Sequence, residues 1–159
     1  MPAQVLFPHW DDEFEFIYVL SGMMEFRVRQ KAFLVSSGEG FFLNTGEIHS
    51  ACAYQSYDCR FVIYRICPSV LFQTEDNPLY QKYIKPMVDH PSFGFLTFVP
   101  KVPWQKYILE MIRKMNDICE RPVDGYELKI NHFINEIFYY IFHNVNLLSL
   151  IHISEPTRL

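Results

Sequence analysis

Apolar and polar residues alternate through the first third of the chain, as they do in half-buried strands. Phe14–Leu20 is rich in aromatic and β-branched residues and closes on Ser21-Gly22. Met24–Val28 alternates apolar with charged positions. A polar turn at Arg29-Gln30-Lys31 leads into Ala32–Val35, and a glycine-rich turn at Gly38-Glu39-Gly40 leads into Phe41–Leu43. After a second turn at Asn44–Glu47, His49–Tyr54 and Arg60–Ile66 read as two more strands. Many short strands separated by glycine turns predict a sandwich or barrel. Between Pro68 and Pro103 the pattern is irregular, with a short helix predicted near Leu79–Ile84 and a return strand near Gly94–Val99.

The period then changes. Trp104, Tyr107, Ile108, Met111, Ile112 and Met115 fall at helical spacing on one stripe, after a proline suited to the first helical turn. Arg121-Pro122 ends that helix, and Asp124 and Glu127 predict a capping pattern for the next. Ile130, Phe133, Ile134, Ile137, Phe138 and Ile141 form the stripe of this second helix. The short connection predicts an antiparallel hairpin. Tyr126, Tyr139, Tyr140 and Phe142 widen the apolar arc, so a subunit interface is expected on the second helix.

Composition narrows the function classes. Half of the 159 residues are hydrophobic and 20% are charged, enough for a packed core. A net charge of −4 and the lack of any Lys/Arg run argue against direct nucleic-acid binding by these residues. The four cysteines form no CxxC pair and read as free, buried small residues. The N-terminus lacks the basic start and apolar run of a signal peptide, and no apolar stretch is long enough to span a membrane. A cytoplasmic protein without a membrane partner is the expectation.

Two groups of residues carry a resemblance. His9-x-Asp11-x3-Glu15-x6-Gly22 resembles the first cupin motif, with Asp11 where the family has His. Gly38-x5-Asn44-x-Gly46-x2-His49 resembles the second, with Asn44 in place of Pro and Ala53 in place of a closing Asn. The wording of HWDDEFEFIYVLSG, EFRV and GEGFFLNTGEIHSA is similar to the N-terminal cupin of AraC-family transcription regulators, over roughly Phe7–Asn146. The resemblance implies a double-stranded β-helix barrel over 1–100 that binds an effector, and a helical hairpin over 101–147 that serves dimerisation. It also implies a helix-turn-helix domain beyond this chain.

The candidate effector contacts are His9, Trp10, Glu15 and His49: the first, third and fourth as hydrogen-bonding groups, Trp10 as a stacking face for a sugar. His9, Asp11, Glu15 and His49 are also the candidate metal ligands. Glu13 competes for the role of inward carboxylate, and Phe14, Phe16 and Tyr18 are then expected on the opposite face. The departures at Asp11, Asn44 and Ala53 favour a metal-free sensor without cofactor over an enzyme. The expected dimer contacts are Ile130, Phe133, Ile134, Ile137, Phe138 and Ile141.

Three functions compete: a regulator's effector domain binding a sugar or related metabolite, a metal-dependent cupin enzyme such as a dioxygenase or sugar isomerase, and a stand-alone sugar-binding module. The final residues, LSLIHISEPTR over Leu148–Arg158, resemble an in-frame translation of a transposon adapter. The segment 148–159 is therefore expected to be a non-native tail, with the natural gene continuing past Leu147. An N-terminal arm found in the family is expected to be missing as well.

Overall fold

The computed structural model describes residues 4–56, 58–72 and 74–145. The predicted strands form, together with an N-terminal one. They are β1 (Gln4–His9), β2 (Phe14–Ser21), β3 (Met23–Val28), β4 (Lys31–Ser36), β5 (Gly40–Leu43), β6 (His49–Ala53), β7 (Arg60–Ile66) and β8 (Phe95–Phe98). They pair antiparallel in two four-stranded sheets, ordered β1-β6-β3-β4 and β7-β2-β5-β8. This is the expected cupin barrel.

Strand β2 shows why the alternation specifies it. Ile17 and Val19 face into the barrel with Met24, Phe26, Val28, Val35, Phe41 and Leu43. Phe14 and Phe16 point to the other side, as expected, and are equally buried because helices cover that face. The core is thus two layers deep, one inside the barrel and one between its second sheet and the helices.

The helices are short turns at α1 (Ser69–Phe72) and α2 (Lys85–Val88), and the long α3 (Pro103–Glu120) and α4 (Tyr126–Asn144). A π-helical stretch, Tyr80–Ile84, precedes α2. The stripe of α3 buries Ile108, Met111, Ile112 and Met115 as expected. The start of α4 differs from expectation. Its cap is Gly125 in a left-handed conformation, with no side-chain hydrogen bond, so Asp124 does not cap the helix. Glycine adopts that geometry without steric cost, and the chain used it to make the turn.

The residues expected as dimer contacts face inward. Phe133, Ile134, Ile137, Phe138 and Ile141 are buried within their own chain, and Ile130 packs at the margin of the same cluster. Phe138 alone meets Phe14, Phe16 and Phe42, with ring centroids 5.1, 5.7 and 6.0 Å away. Helix α4 lies back on the outer face of the sheet, which consumes the stripe and leaves Leu128, Tyr139 and Phe142 exposed instead. The cysteines differ too. Cys67 and Cys119 are exposed, and Cys52 and Cys59 half-buried. The expected non-native tail, 148–159, lies outside the described residues.

The β2–β3 hairpin depends on one glycine. Gly22 has φ of 79°, and a Cβ there would collide with the backbone carbonyl of Asp58. Gly22→Ala is expected to destabilise the barrel by about 2 kcal/mol, combining a left-handed φ with a backbone clash. Urea unfolding monitored by circular dichroism reads this directly. An unchanged midpoint would mean that the hairpin shifts freely.

Candidate functional site

Two cross-strand pairs build the site. In the first sheet, His9 of β1 lies opposite His49 of β6. In the second, Glu15 of β2 lies opposite Arg65 of β7. The two pairs meet across one end of the barrel, where Phe26 stacks on the His49 ring with centroids 5.6 Å apart. Deeper in the barrel, bulky apolar side chains fill the space.

Both imidazoles are oriented by the backbone. Nδ1 of His49 lies 2.8 Å from the carbonyl oxygen of Glu47, and Nδ1 of His9 lies 2.7 Å from that of Phe7. A carbonyl oxygen only accepts, so each Nδ1 carries its proton and donates. Each Nε2 is then the free nitrogen, and the Nε2 of His49 comes within 3.2 Å of Glu15 Oε2. The rings sit with centroids 4.2 Å apart.

The charges are concentrated. The Nε group of Arg65 donates to Glu15 Oε1 at 3.1 Å and lies 3.6 Å from Asp11 Oδ2. Asp11 Oδ2 is also 3.6 Å from Nε2 of His9. Burial alone would raise the Glu15 carboxyl, but His49, Asp11 and Arg65 around it bring it down to about 2. Burial alone would lower His49, yet the adjacent Glu15 carboxylate outweighs it and raises the imidazole. Asp11 is pushed up, chiefly by its contact with Glu15 and then by burial.

Despite this crowding, among the described residues three buried side-chain atoms lack a hydrogen-bond partner: Asp11 Oδ2, Glu15 Oε2 and His49 Nε2. The approach of His49 to Glu15 has ion-pair distance but not hydrogen-bond alignment. Buried polar atoms are rarely left so, and a ligand is one reason they are.

His9, Asp11, Glu15 and His49 therefore converge as the sequence predicts. Trp10 does not join them, since its side chain is 57% exposed. Glu13 is only half-buried, and Glu15 is the inward carboxylate. Sequence reasoning missed Arg65. The one available signal was register: pairing β2 with β7 sets Arg65 directly opposite Glu15. A separate, mostly apolar cavity of about 300 Å³ lies between α4 and the segment before α2, with Leu71, Tyr83, Met87, Phe138 and Phe142 in its walls. It shares no lining residue with the barrel site.

A two-sheet barrel with a polar cluster at one end, backed by a helical hairpin, defines a ligand-binding domain. The sequence matches the AraC-like ligand binding domain over residues 2–130, and the chain belongs to that family. It is 28% identical over 122 residues to YdeC of Bacillus subtilis (strain 168), described as an uncharacterized HTH-type transcriptional regulator. That match covers 77% of this chain and 41% of the relative, so the chain spans about two fifths of that regulator's length. Among solved structures, the AraC-like transcriptional activator CuxR matches 94% of this chain and 46% of its own, with TM-score 0.54 and 9% identity. ToxT from Vibrio cholerae matches 96% of this chain and 59% of its own, with TM-score 0.56 and 11% identity. Among the described residues no helix is long and apolar enough to cross a membrane.

Proposed function

We propose that this chain is the effector-sensing part of an AraC-type transcription regulator. It takes a polar small molecule, a sugar or related metabolite, at the end of the barrel formed by His9, Asp11, Glu15, His49 and Arg65. Binding shifts the equilibrium between arrangements of the barrel, the helices and a helix-turn-helix domain outside this chain. A second copy pairs through the exposed side of the helical hairpin, around Leu128 and Tyr139.

The three buried atoms without partners carry the reading. Two are carboxylate oxygens, which ask for hydrogen-bond donors, and the third is the Nε2 of His49, which accepts while the ring is neutral and donates once it is protonated. The hydroxyls of a polyol both donate and accept, and so meet all three.

The test is a thermal-shift and calorimetric screen against monosaccharides and sugar acids, repeated with Glu15→Gln and His49→Gln. A binder is expected to lose about tenfold affinity or more in each variant, the loss of one charge-assisted hydrogen bond. A panel that yields no binder, or one bound equally well by both variants, overturns the reading.

A further inference from the structure

We propose that the cavity between α4 and the π-helical segment is a second small-molecule site, one that takes a neutral planar aromatic molecule carrying a single hydrogen-bonding group. It shares no lining residue with the barrel end, so what the barrel binds does not bear on it.

Protein interiors pack as densely as organic crystals, and voids much larger than a water molecule are few. This cavity measures about 300 Å³ and reaches down to Leu71, Ile84, Met87 and Phe138, core residues that are at most 8% exposed. Such an apolar floor offers ordered water few partners, and a cavity of about 150 Å³ is already enough to take up benzene. Ligand sites run from about 300 to 1,000 Å³, so this one suits a single compact ring system.

The chemistry of the walls selects the ligand. Among the described residues that line the cavity there is no Asp, Glu, Lys or Arg, so a charged group inside it would lose its water without gaining a counter-ion. Five of its ten lining residues are aromatic: Phe72, Tyr83, Phe138, Tyr139 and Phe142. Tyr83 and Phe142 meet edge to face with centroids 4.9 Å apart, a corner against which a third ring packs. The polar groups sit at the mouth. Asn135, Tyr139 and His143 follow at i, i+4 and i+8 on the exposed side of α4. The Asn135 amide nitrogen donates to Asn131, which leaves its oxygen to accept an N–H or O–H from the ligand. The ammonium of Lys82 is engaged over the Tyr83 ring, 5.0 Å from its centroid, so an acid analogue is the comparison that tests neutrality.

The backbone of one wall is unusual at the same place. Tyr83 and Ile84 belong to the π-helical stretch, which is closed by a hydrogen bond from the Lys85 amide to the Tyr80 carbonyl. Such i→i+5 turns are rare and are found frequently at functional sites. The stretch leads into α2, where the Met87 carbonyl accepts from the Asn44 side chain. The wall is thereby fastened to the barrel and set before a ligand arrives.

Isothermal calorimetry with indole as the probe tests the site. One indole per chain is expected, with heat that grows more exothermic on warming, the negative heat-capacity change of apolar burial. Indole-3-carboxylate is expected to bind about tenfold or more weakly, because its carboxylate leaves water without a partner. Asn135→Trp sets a ring across the mouth from an exposed helix position and is expected to weaken indole by about tenfold or more. Phe142→Ala, at a side chain 43% exposed, removes one wall and is expected to weaken it as well, with circular dichroism to check that both variants fold. His132→Trp, at a side chain paired with Glu136 and outside the cavity walls, is expected to bind like the parent. An indole titration without saturable heat overturns the proposal. So does binding untouched by Asn135→Trp, or an acid analogue bound as tightly as indole. If indole gives no heat while Asn135→Trp alters the sedimentation of the chain, the space belongs to a second copy and the proposal falls. The sugar screen is read through Glu15 and His49, so either site can fail alone.

Discussion

Phe138→Ala is expected to lower the free energy of unfolding by about 3–5 kcal/mol, the cost of removing a fully packed aromatic side chain and leaving its cavity. Phe138 is 5% exposed and stands at the junction of three aromatic rings from β2 and β5. Those rings belong to strands in the middle of the second sheet, so the void opens in the seam that joins helices to barrel. The neighbours are rings with few rotamers and cannot easily collapse into the space. Tyr139→Ser, one residue on, is expected to change stability by less than about 0.5 kcal/mol, because its side chain is on the exposed face. Urea midpoints for the two variants, with sedimentation to read their assembly, separate a core stripe from an interface stripe. A Phe138→Ala chain that keeps its midpoint but loses self-association would return this residue to the interface role that its spacing suggested.

That pair of residues shows where sequence reasoning stops. Helical period identified the stripe, and α4 forms where the stripe is. Period says which face of a helix is apolar but not what will cover it. Here the outer face of the sheet was itself apolar, through Phe14, Phe16 and Phe42. The alternating pattern of β2 concealed this, because both of its faces carry large apolar residues. Once the helices cover the sheet, the stripe packs within its own chain.

The polar end of the barrel was legible to a different extent. Motif spacing gave His9, Asp11, Glu15 and His49, since cross-strand neighbours of fixed register must lie together. Arg65 lay outside both motifs, and only the β2–β7 register connects it to Glu15. Trp10 was placed by its chemistry rather than by parity. Next to an inward His9, it faces outward.

Asn44→Ala is expected to cost about 2–4 kcal/mol, because it deletes two buried donors and leaves the carbonyls they served without partners. Asn44 is 4% exposed, and its amide nitrogen donates to the carbonyls of Met87 at 2.8 Å and Phe93 at 2.7 Å. Its side-chain oxygen accepts from the Thr45 amide at 2.8 Å, and its own backbone amide donates to Gly94. The usual proline at this motif position has no amide to offer, so the substitution is what anchors the irregular segment against β5. Arg29 adds an outer fastening, pairing with Glu47 and donating to the Pro91 carbonyl. Being half-exposed, it is the weaker of the two. Asn44→Asp sharpens the argument through pH. Its oxygen would face two carbonyl oxygens, so the folded state favours the neutral acid and raises its pKa above the unfolded value of about 3.9. Below that value both states are protonated and one donor survives. As pH rises past it the unfolded chain ionises first, and stability falls until the folded pKa is reached. Asn44→Asp should therefore unfold at lower urea than Asn44→Ala at neutral pH, and the gap should narrow or reverse near pH 4. A gap that does not change with pH would mean that the segment moves away and lets water reach the carboxylate. In that case Asn44 would be replaceable, and residues 87–93 would be held mainly by the packing of Met87 and Phe93, each 2% exposed.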